Sequence, residues 1–299
     1  MEQAASEAQM TRLLTNRQLS RLELLRINAS RRFTNKSRGE HLIGRGGTST
    51  EFSDFRDYAP GDDVRFVDWN AFARLHRPYI KLFEQEEEMH VAVLLDASES
   101  MLFEGKLERA KQLGAAFGVM GLLGTERVSV TAFSGDGIER LRPCTGRASM
   151  ANVFTFLERV EGGGAVPLET GVEAFLTRHV GRGAVVLLSD FLTFGDLRGA
   201  LNRLFSAGLE IFALQVLGPS EIEPDLATDL RLVDSETQAT LDVTSGADIV
   251  ELYLEHREAF AQELSGLCQQ RSGRFVSLSS GDPLDGVLFG LLRRRGWVV

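Results

Sequence analysis

Several residue patterns that would define a function are missing from this chain of 299 residues. Two cysteines, Cys144 and Cys268, stand far apart without a CxxC pair or zinc-ligand spacing, so a disulfide framework and a zinc finger are both unsupported. No GxSxG, HExxH or GxxxxGK[ST] pattern occurs either. The usual signatures of serine hydrolases, zinc proteases and P-loop nucleotide enzymes are therefore absent.

Long apolar runs are also lacking. The longest candidate, LGAAFGVMGLLG at 113–124, falls short of the ~18 residues that a membrane helix requires, and the first residues lack the apolar core of a signal peptide. We therefore expect a soluble, cytoplasmic protein with no integral membrane segment. The net charge of −9 argues against nucleic acid as the main partner.

The charge is unevenly distributed, because residues 1–50 hold nine Lys and Arg against four Asp and Glu. Leucines and arginines recur over 10–30 at close to the helical period, which predicts a basic amphipathic helix. This helix could face an anionic surface, or it could lie on the acidic part of the same chain. The polar, glycine-rich segment that follows, up to residue 50, predicts a loop.

Strands and helices alternate from residue 90 onward. HVAVLLD (90–96) and AVVLLSD (184–190) are short and uniformly apolar, as expected of strands that are buried on both faces. Further strands are predicted at 127–133, 138–144, 210–218 and 274–280, with helices between them. This order predicts an α/β fold with a doubly wound, mostly parallel sheet.

Three oxygen-bearing residues follow the first of these strands at every second position: Asp96, Ser98 and Ser100. Side chains two apart in an extended segment point the same way. Asp190 ends another buried strand, and ligands gather at the carboxyl ends of strands in such sheets. An incomplete shell of oxygens suits Mg²⁺ or Mn²⁺. The alternative is a turn in which Ser100 caps the next helix.

Asp96, Ser98, Ser100 and Asp190 resemble the metal-ion-dependent adhesion site of von Willebrand factor type A domains. That resemblance implies a metal whose open position binds a carboxylate of a protein partner. It also implies a threonine ligand in the loop that here reads GGGAVPLETG (162–171). Val166 falls at the threonine position, or Ala165 does, so we expect weak metal binding that depends on a partner.

The segment EFSDFRDYAPGDDVRFVDWNAFAR (51–74) resembles the signature of the family called domain of unknown function 58. Its turn at Pro60-Gly61 and its alternating Arg and Asp residues favour a small β-rich lobe held by charge pairs. The resemblance implies an adaptor or chaperone-like role beside a MoxR-type AAA+ ATPase. Residues that could bind a partner in this lobe are Asp62, Asp63, Arg65 and Trp69.

We therefore divide the chain into three parts: a basic helix and loop at 1–50, a β-rich lobe at 51–89 that packs on the main domain, and a von Willebrand factor A-like domain at 90–299. The predicted function is non-catalytic protein interaction. The alternative is a phosphatase of the haloacid dehalogenase type with Asp96 as nucleophile. Such enzymes need a second carboxylate two residues later as general acid, and Ser98 stands there.

Overall fold

The computed structural model describes residues 9–29, 34–35, 50–86, 89–124, 126–192, 195–224, 230–233, 240–243 and 246–299. The strands are β1 (Thr34–Asn35), β2 (Thr50–Asp57), β3 (Tyr79–Glu86), β4 (His90–Asp96), β5 (Arg127–Ser134), β6 (Gly137–Cys144), β7 (Gly183–Ser189), β8 (Leu209–Leu217), β9 (Leu230–Val233), β10 (Thr240–Val243) and β11 (Arg274–Ser279). The helices are α1 (Asn16–Leu22), α2 (Trp69–Leu75), α3 (Lys106–Leu123), α4 (Met150–Arg159), α5 (Leu168–Leu176), α6 (Leu197–Ser206), α7 (Pro219–Ile222), α8 (Gly246–Gln269), α9 (Leu284–Gly286) and α10 (Leu292–Arg294).

Contacts within the chain define two units, Arg31–Glu88 and Met1–Ser30 together with Met89–Val299. The larger unit contains a six-stranded sheet in the order β11-β8-β7-β4-β5-β6. All neighbours in this sheet are parallel except β6, which pairs with β5 in the antiparallel sense. The predicted fold class, a doubly wound and mostly parallel α/β sheet, is confirmed, and the edge position predicted for 138–144 is correct.

The side chains of β4 alternate between two hydrophobic layers. Val91, Val93 and Leu95 face a layer that includes α3 and α4, whereas Ala92 and Leu94 face a layer built with α5, α6 and α8. Both faces of the sheet are therefore covered, which explains why the sequence of this strand is uniformly apolar.

The first helix is much shorter than the leucine pattern predicted. Thr15 and Gln18 form a capping box that begins α1, and the helix ends at Leu22 because the chain then turns extended, with Ile27 bridging to Val298. Arg21 pairs with Asp285 at 2.9 Å. This arginine thus binds an acidic residue of the same chain. The glycine-rich segment at 36–49 lies outside the described residues.

The smaller unit is a three-stranded sheet in the order β1-β3-β2. Its helix α2 was not predicted from the sequence. Asp68 caps this helix by accepting hydrogen bonds from the backbone N–H groups of Asn70 and Ala71. Asp68 also pairs with Lys81 at 3.3 Å. The packing of this unit against the main domain, and the three-part division of the chain, stay predictions.

Candidate functional site

The predicted site residues lie at the carboxyl edge of the large sheet. Leu95 of β4 pairs in parallel register with Leu188 of β7, so the next residues, Asp96 and Ser189, stand level at the two strand ends. Parallel strands place their carboxyl ends at one edge, where loops can gather side chains from distant parts of the chain. We call this edge the rim.

Asp96 is buried at the rim and both of its carboxylate oxygens accept hydrogen bonds. The backbone N–H of Ser98 donates to Oδ1 at 2.9 Å, and the hydroxyl of Ser189 donates to Oδ2 at 2.5 Å. Burial raises the pKa of Asp96 to about 6, and the charge of Asp190 adds to the rise, while the bonds from Ser189 and Ser98 oppose it. Asp190 directly follows Ser189, the residue whose hydroxyl binds Asp96.

Ser98 and Ser100 join in a hydrogen bond of 3.1 Å between their hydroxyl oxygens. Both side chains are buried. A 3₁₀-helical turn, Glu99–Gly105, follows Ser98, and the side chain of Ser98 makes no capping hydrogen bond to this turn. The structure therefore brings Asp96, Ser98 and Ser100 together as the spacing predicted.

Asp190 binds a lysine that the sequence analysis missed. Lys106, the first residue of α3, is 1% exposed, and its Nζ donates to Asp190 Oδ2 at 2.8 Å and to Glu221 Oε1 at 2.9 Å. The other oxygen of Asp190 accepts from the backbone N–H of Leu192 at 3.0 Å. Burial lowers the pKa of Lys106, but the charges and hydrogen bonds of Asp190 and Glu221 outweigh it, so the pKa is raised. A lone lysine before an apolar helix gives no sequence signal of such a role.

The glycine loop that includes Val166 packs directly against the Asp96–Ser100 segment. The backbone N–H of Gly163 donates to the carbonyl of Ala97 at 2.9 Å, and the backbone N–H of Glu99 donates to the carbonyl of Gly164 at 2.8 Å. Gly164 has φ +64, and a Cβ there would lie 2.6 Å from the Cα of Gly135, so only glycine fits. Val166 is partly buried against the second hydrophobic layer, and its equivalence, or that of Ala165, to the threonine ligand stays a prediction.

These contacts do not fit the divalent-ion site that the resemblance implies. Asp190 already faces the buried ammonium of Lys106, and Asp96 accepts a hydrogen bond at each of its oxygens. Within the described residues, no cluster of three His, Cys, Asp or Glu side chains could hold a metal ion. Binding of Mg²⁺ or Mn²⁺ stays a prediction, which titration can test.

The partner-binding residues predicted in the smaller unit divide into two kinds. Asp62 accepts two hydrogen bonds of 2.6 Å from Arg56, and Asp63 pairs with Arg65 at 2.5 Å. Hydrogen bonds from Arg65 lower the pKa of Asp63. The charged residues thus hold the turn together, whereas Trp69 on α2 is 60% exposed.

None of the helices in the described part of the chain is long and apolar enough to cross a bilayer. The two cysteines, Cys144 and Cys268, are free thiols. Burial raises the pKa of Cys268 to about 12, so this thiol stays protonated at neutral pH and is a poor nucleophile.

Comparison with known proteins gives relatives that are themselves uncharacterized. The chain is 26% identical over 262 residues to uncharacterized protein Rv1480 of Mycobacterium tuberculosis and to Mb1516 of Mycobacterium bovis, covering 82% of this chain and 80% of each relative. Among solved structures, the conserved hypothetical protein BatB of Bacteroides thetaiotaomicron gives a TM-score of 0.44 at 17% identity, over 70% of this chain and 97% of that one. The SpRpn10 VWA domain gives 0.40 at 10% identity, over 70% and 95%.

A family model assigns the chain to a family more directly than these similarities to individual proteins. The model described as protein of unknown function DUF58 matches residues 54–263. The match covers well over half of the chain and includes both β4, with Asp96, and β7, with the adjoining Asp190. The chain therefore belongs to the DUF58 family.

Proposed function

We propose that this chain is a non-catalytic protein-interaction module whose partner binds at the rim. The observation that carries the proposal is the exposure of three apolar side chains on the loops that follow β4 and β7. Leu102, Phe103 and Leu192 are each close to half exposed there. Exposed apolar side chains grouped beside buried polar ones are typical of protein–protein contacts. We call these three residues the rim patch.

The chemistry of the rim favours binding over catalysis. A phosphatase nucleophile at Asp96 needs an unengaged carboxylate and a general acid. Both oxygens of Asp96 accept hydrogen bonds, and Ser98 bonds to Ser100. The hydrogen bonds of the rim instead join the loops that carry the side chains of the rim patch.

The partner we propose is a MoxR-type AAA+ ATPase, to which the chain acts as adaptor or chaperone-like factor. The support for this partner is the resemblance of segment 51–74 to the DUF58 signature, together with membership of that family. A cytoplasmic location belongs to the same proposal, since the partner uses ATP and both cysteines are free thiols.

The proposal is tested by co-purification with a MoxR-type ATPase. The variant Leu102→Ser/Phe103→Ser removes much of the rim patch, and we expect it to lose most ATPase capture. Val180→Ser is the matched control, because Val180 is 77% exposed and precedes β7, at the amino ends of the strands. Equal capture by wild type and the double variant would contradict binding at the rim, and no capture by wild type would contradict this partner.

A second contact surface is proposed on α2 of the smaller unit. Trp69, Phe72 and Leu75 are exposed and stand three residues apart, so they share one face of the helix. Trp69 and Phe72 pack edge to face with ring centroids 6.0 Å apart. In the same co-purification, Trp69→Ala should reduce capture, because exposed tryptophans are frequent anchors of interfaces.

A further inference from the structure

The side chain of Lys106 connects two loops of the rim through its charge. Its Nζ lies 2.8 Å from Asp190 Oδ2 and 2.9 Å from Glu221 Oε1. Asp190 follows β7, and Glu221 belongs to α7, which follows β8. Lys106 itself begins α3 after the loop from β4, so one ammonium group joins segments that follow three adjacent strands.

This ammonium group is closed off from solvent. Lys106 and Asp190 are each 1% exposed, and the ring of Phe103 lies with its centroid 5.9 Å from Nζ. A buried charge is tolerated when charged and hydrogen-bonding partners surround it. Lysine has three N–H donors, and two of them are directed at carboxylates here.

A divalent ion in this position would also join these loops, but through metal coordination and not through hydrogen bonds. Mg²⁺ collects carboxylate and hydroxyl oxygens from several loops in octahedral geometry. A second cation close to Lys106 would be repelled by it, and would have to take Asp190 away from its partner. The contacts of Asp190 and the buried lysine thus argue against a divalent ion and already supply a positive charge.

We propose that Lys106 Nζ provides, from within the chain, the positive charge that the adhesion-site resemblance assigns to a divalent ion. The rim is therefore assembled without metal, and a divalent-ion site appears only when the lysine charge is removed. This inference concerns the rim alone, and it stands or falls independently of the identity of the protein partner.

The test is a titration of the full chain with Mn²⁺, followed by electron paramagnetic resonance of the free ion. Wild type should bind no saturable Mn²⁺ up to about millimolar concentration. Lys106→Met, which keeps the side-chain length without the charge, should bind one ion per chain at least about tenfold more tightly. Lys111→Met is the matched control, since Lys111 lies in the same helix, is 7% exposed and should leave Mn²⁺ binding unchanged.

Two results would overturn the inference. One is a saturable Mn²⁺ site in wild type at or below about millimolar concentration, and the other is a folded Lys106→Met that gains no Mn²⁺ binding. Circular dichroism establishes whether Lys106→Met is folded. If it is not, the wild-type titration decides alone, because a saturable site rejects the inference and unsaturable binding supports it.

Discussion

The two ends of the large sheet bury polar groups in contrasting ways. At the carboxyl end, Lys106 and Asp190 form a buried ion pair. At the amino end, His90 is buried with Nε2 bonded to Ser129 at 2.8 Å, and its ring stacks on His179 with centroids 5.0 Å apart. Burial lowers the pKa of His90 to about 4, and the neighbouring His179 and Arg127 add to the effect.

The difference concerns these two groups alone, since the amino end also holds an ion pair, between Arg274 and the buried Glu210 at 3.4 Å. His90 stays neutral at the amino end because burial disfavours its protonated form. The carboxyl end places opposite charges in contact and ties loops together with them. A rim that holds charge in a fixed arrangement is suited to recognition.

Removal of one partner of the rim ion pair should have the largest effect on stability. Asp190→Ala leaves Lys106 buried with less compensation, and we expect a loss of about 3–5 kcal/mol in the free energy of unfolding. Urea denaturation measures it. The double variant Lys106→Met/Asp190→Leu removes both charges and should recover part of the loss. A loss below about 1 kcal/mol in Asp190→Ala would mean that the ion pair is unimportant.

Acid should destabilise the amino end through His90. Between its ordinary pKa of 6.5 and the folded value of about 4, the unfolded chain binds a proton that the folded chain does not. Stability is therefore lost as pH falls through this window, by about 3 kcal/mol at most. In His90→Gln this part of the pH dependence should disappear.

The measurement is urea denaturation of wild type and His90→Gln at several pH values from 7 to 4 (the window set by the pKa of His90). Burial raises the pKa of Glu126 to about 7 and that of Asp96 to about 6, so both carboxyls favour the folded state as pH falls. Both remain in the variant and cancel in the difference between the two proteins. Parallel curves would show that His90 does not titrate as described.

The glycine loop of the rim should tolerate substitution poorly. Gly164→Ala combines a left-handed backbone, φ +64, with a Cβ placed 2.6 Å from Gly135 Cα, and we expect a loss of about 1–3 kcal/mol. Gly266→Ala is the control, because this residue lies in α8 with no atom within 4 Å of an added Cβ. The control should be neutral or slightly stabilising in thermal denaturation. Equal melting temperatures for the two variants would contradict the close packing of the loop.

Exposed apolar residues at the two ends should have the smallest effect on stability. Leu192→Ser at the carboxyl end and Val180→Ser at the amino end should each change the free energy of unfolding by less than about 0.5 kcal/mol. Capture of the ATPase should fall for Leu192→Ser alone. A similar fall for both variants would remove the functional distinction between the two ends.

The sheet and part of the rim were predictable because their signals are local. A strand that is buried on both faces is uniformly apolar, as in 90–96, and the spacing of Asp96, Ser98 and Ser100 is visible in five residues. The end of α1 was not predictable, since it depends on pairing of Ile27 with Val298 at the other end of the chain. Long-range pairing of this kind leaves no trace in a local pattern.

The missed residues of the rim have the same explanation. Lys106 reads as an ordinary solvent-exposed lysine, because its partners Asp190 and Glu221 are distant in sequence and reach it only through the sheet. Ser189 precedes Asp190 and reads as part of the strand, although its hydroxyl binds Asp96. Helix α2 was missed because its apolar side chains are exposed, so its pattern does not mark a buried face.

The antiparallel strand β6 has a consequence for how copies of this chain behave at high concentration. It lies at an edge of the sheet, where unpaired backbone groups can add a strand from another molecule and begin aggregation. Glu139, Arg140, Arg142 and Pro143 occupy this strand, and charges and proline are the residues that discourage such addition. The edge strand that completes the fold thus also keeps neighbouring molecules from joining their sheets.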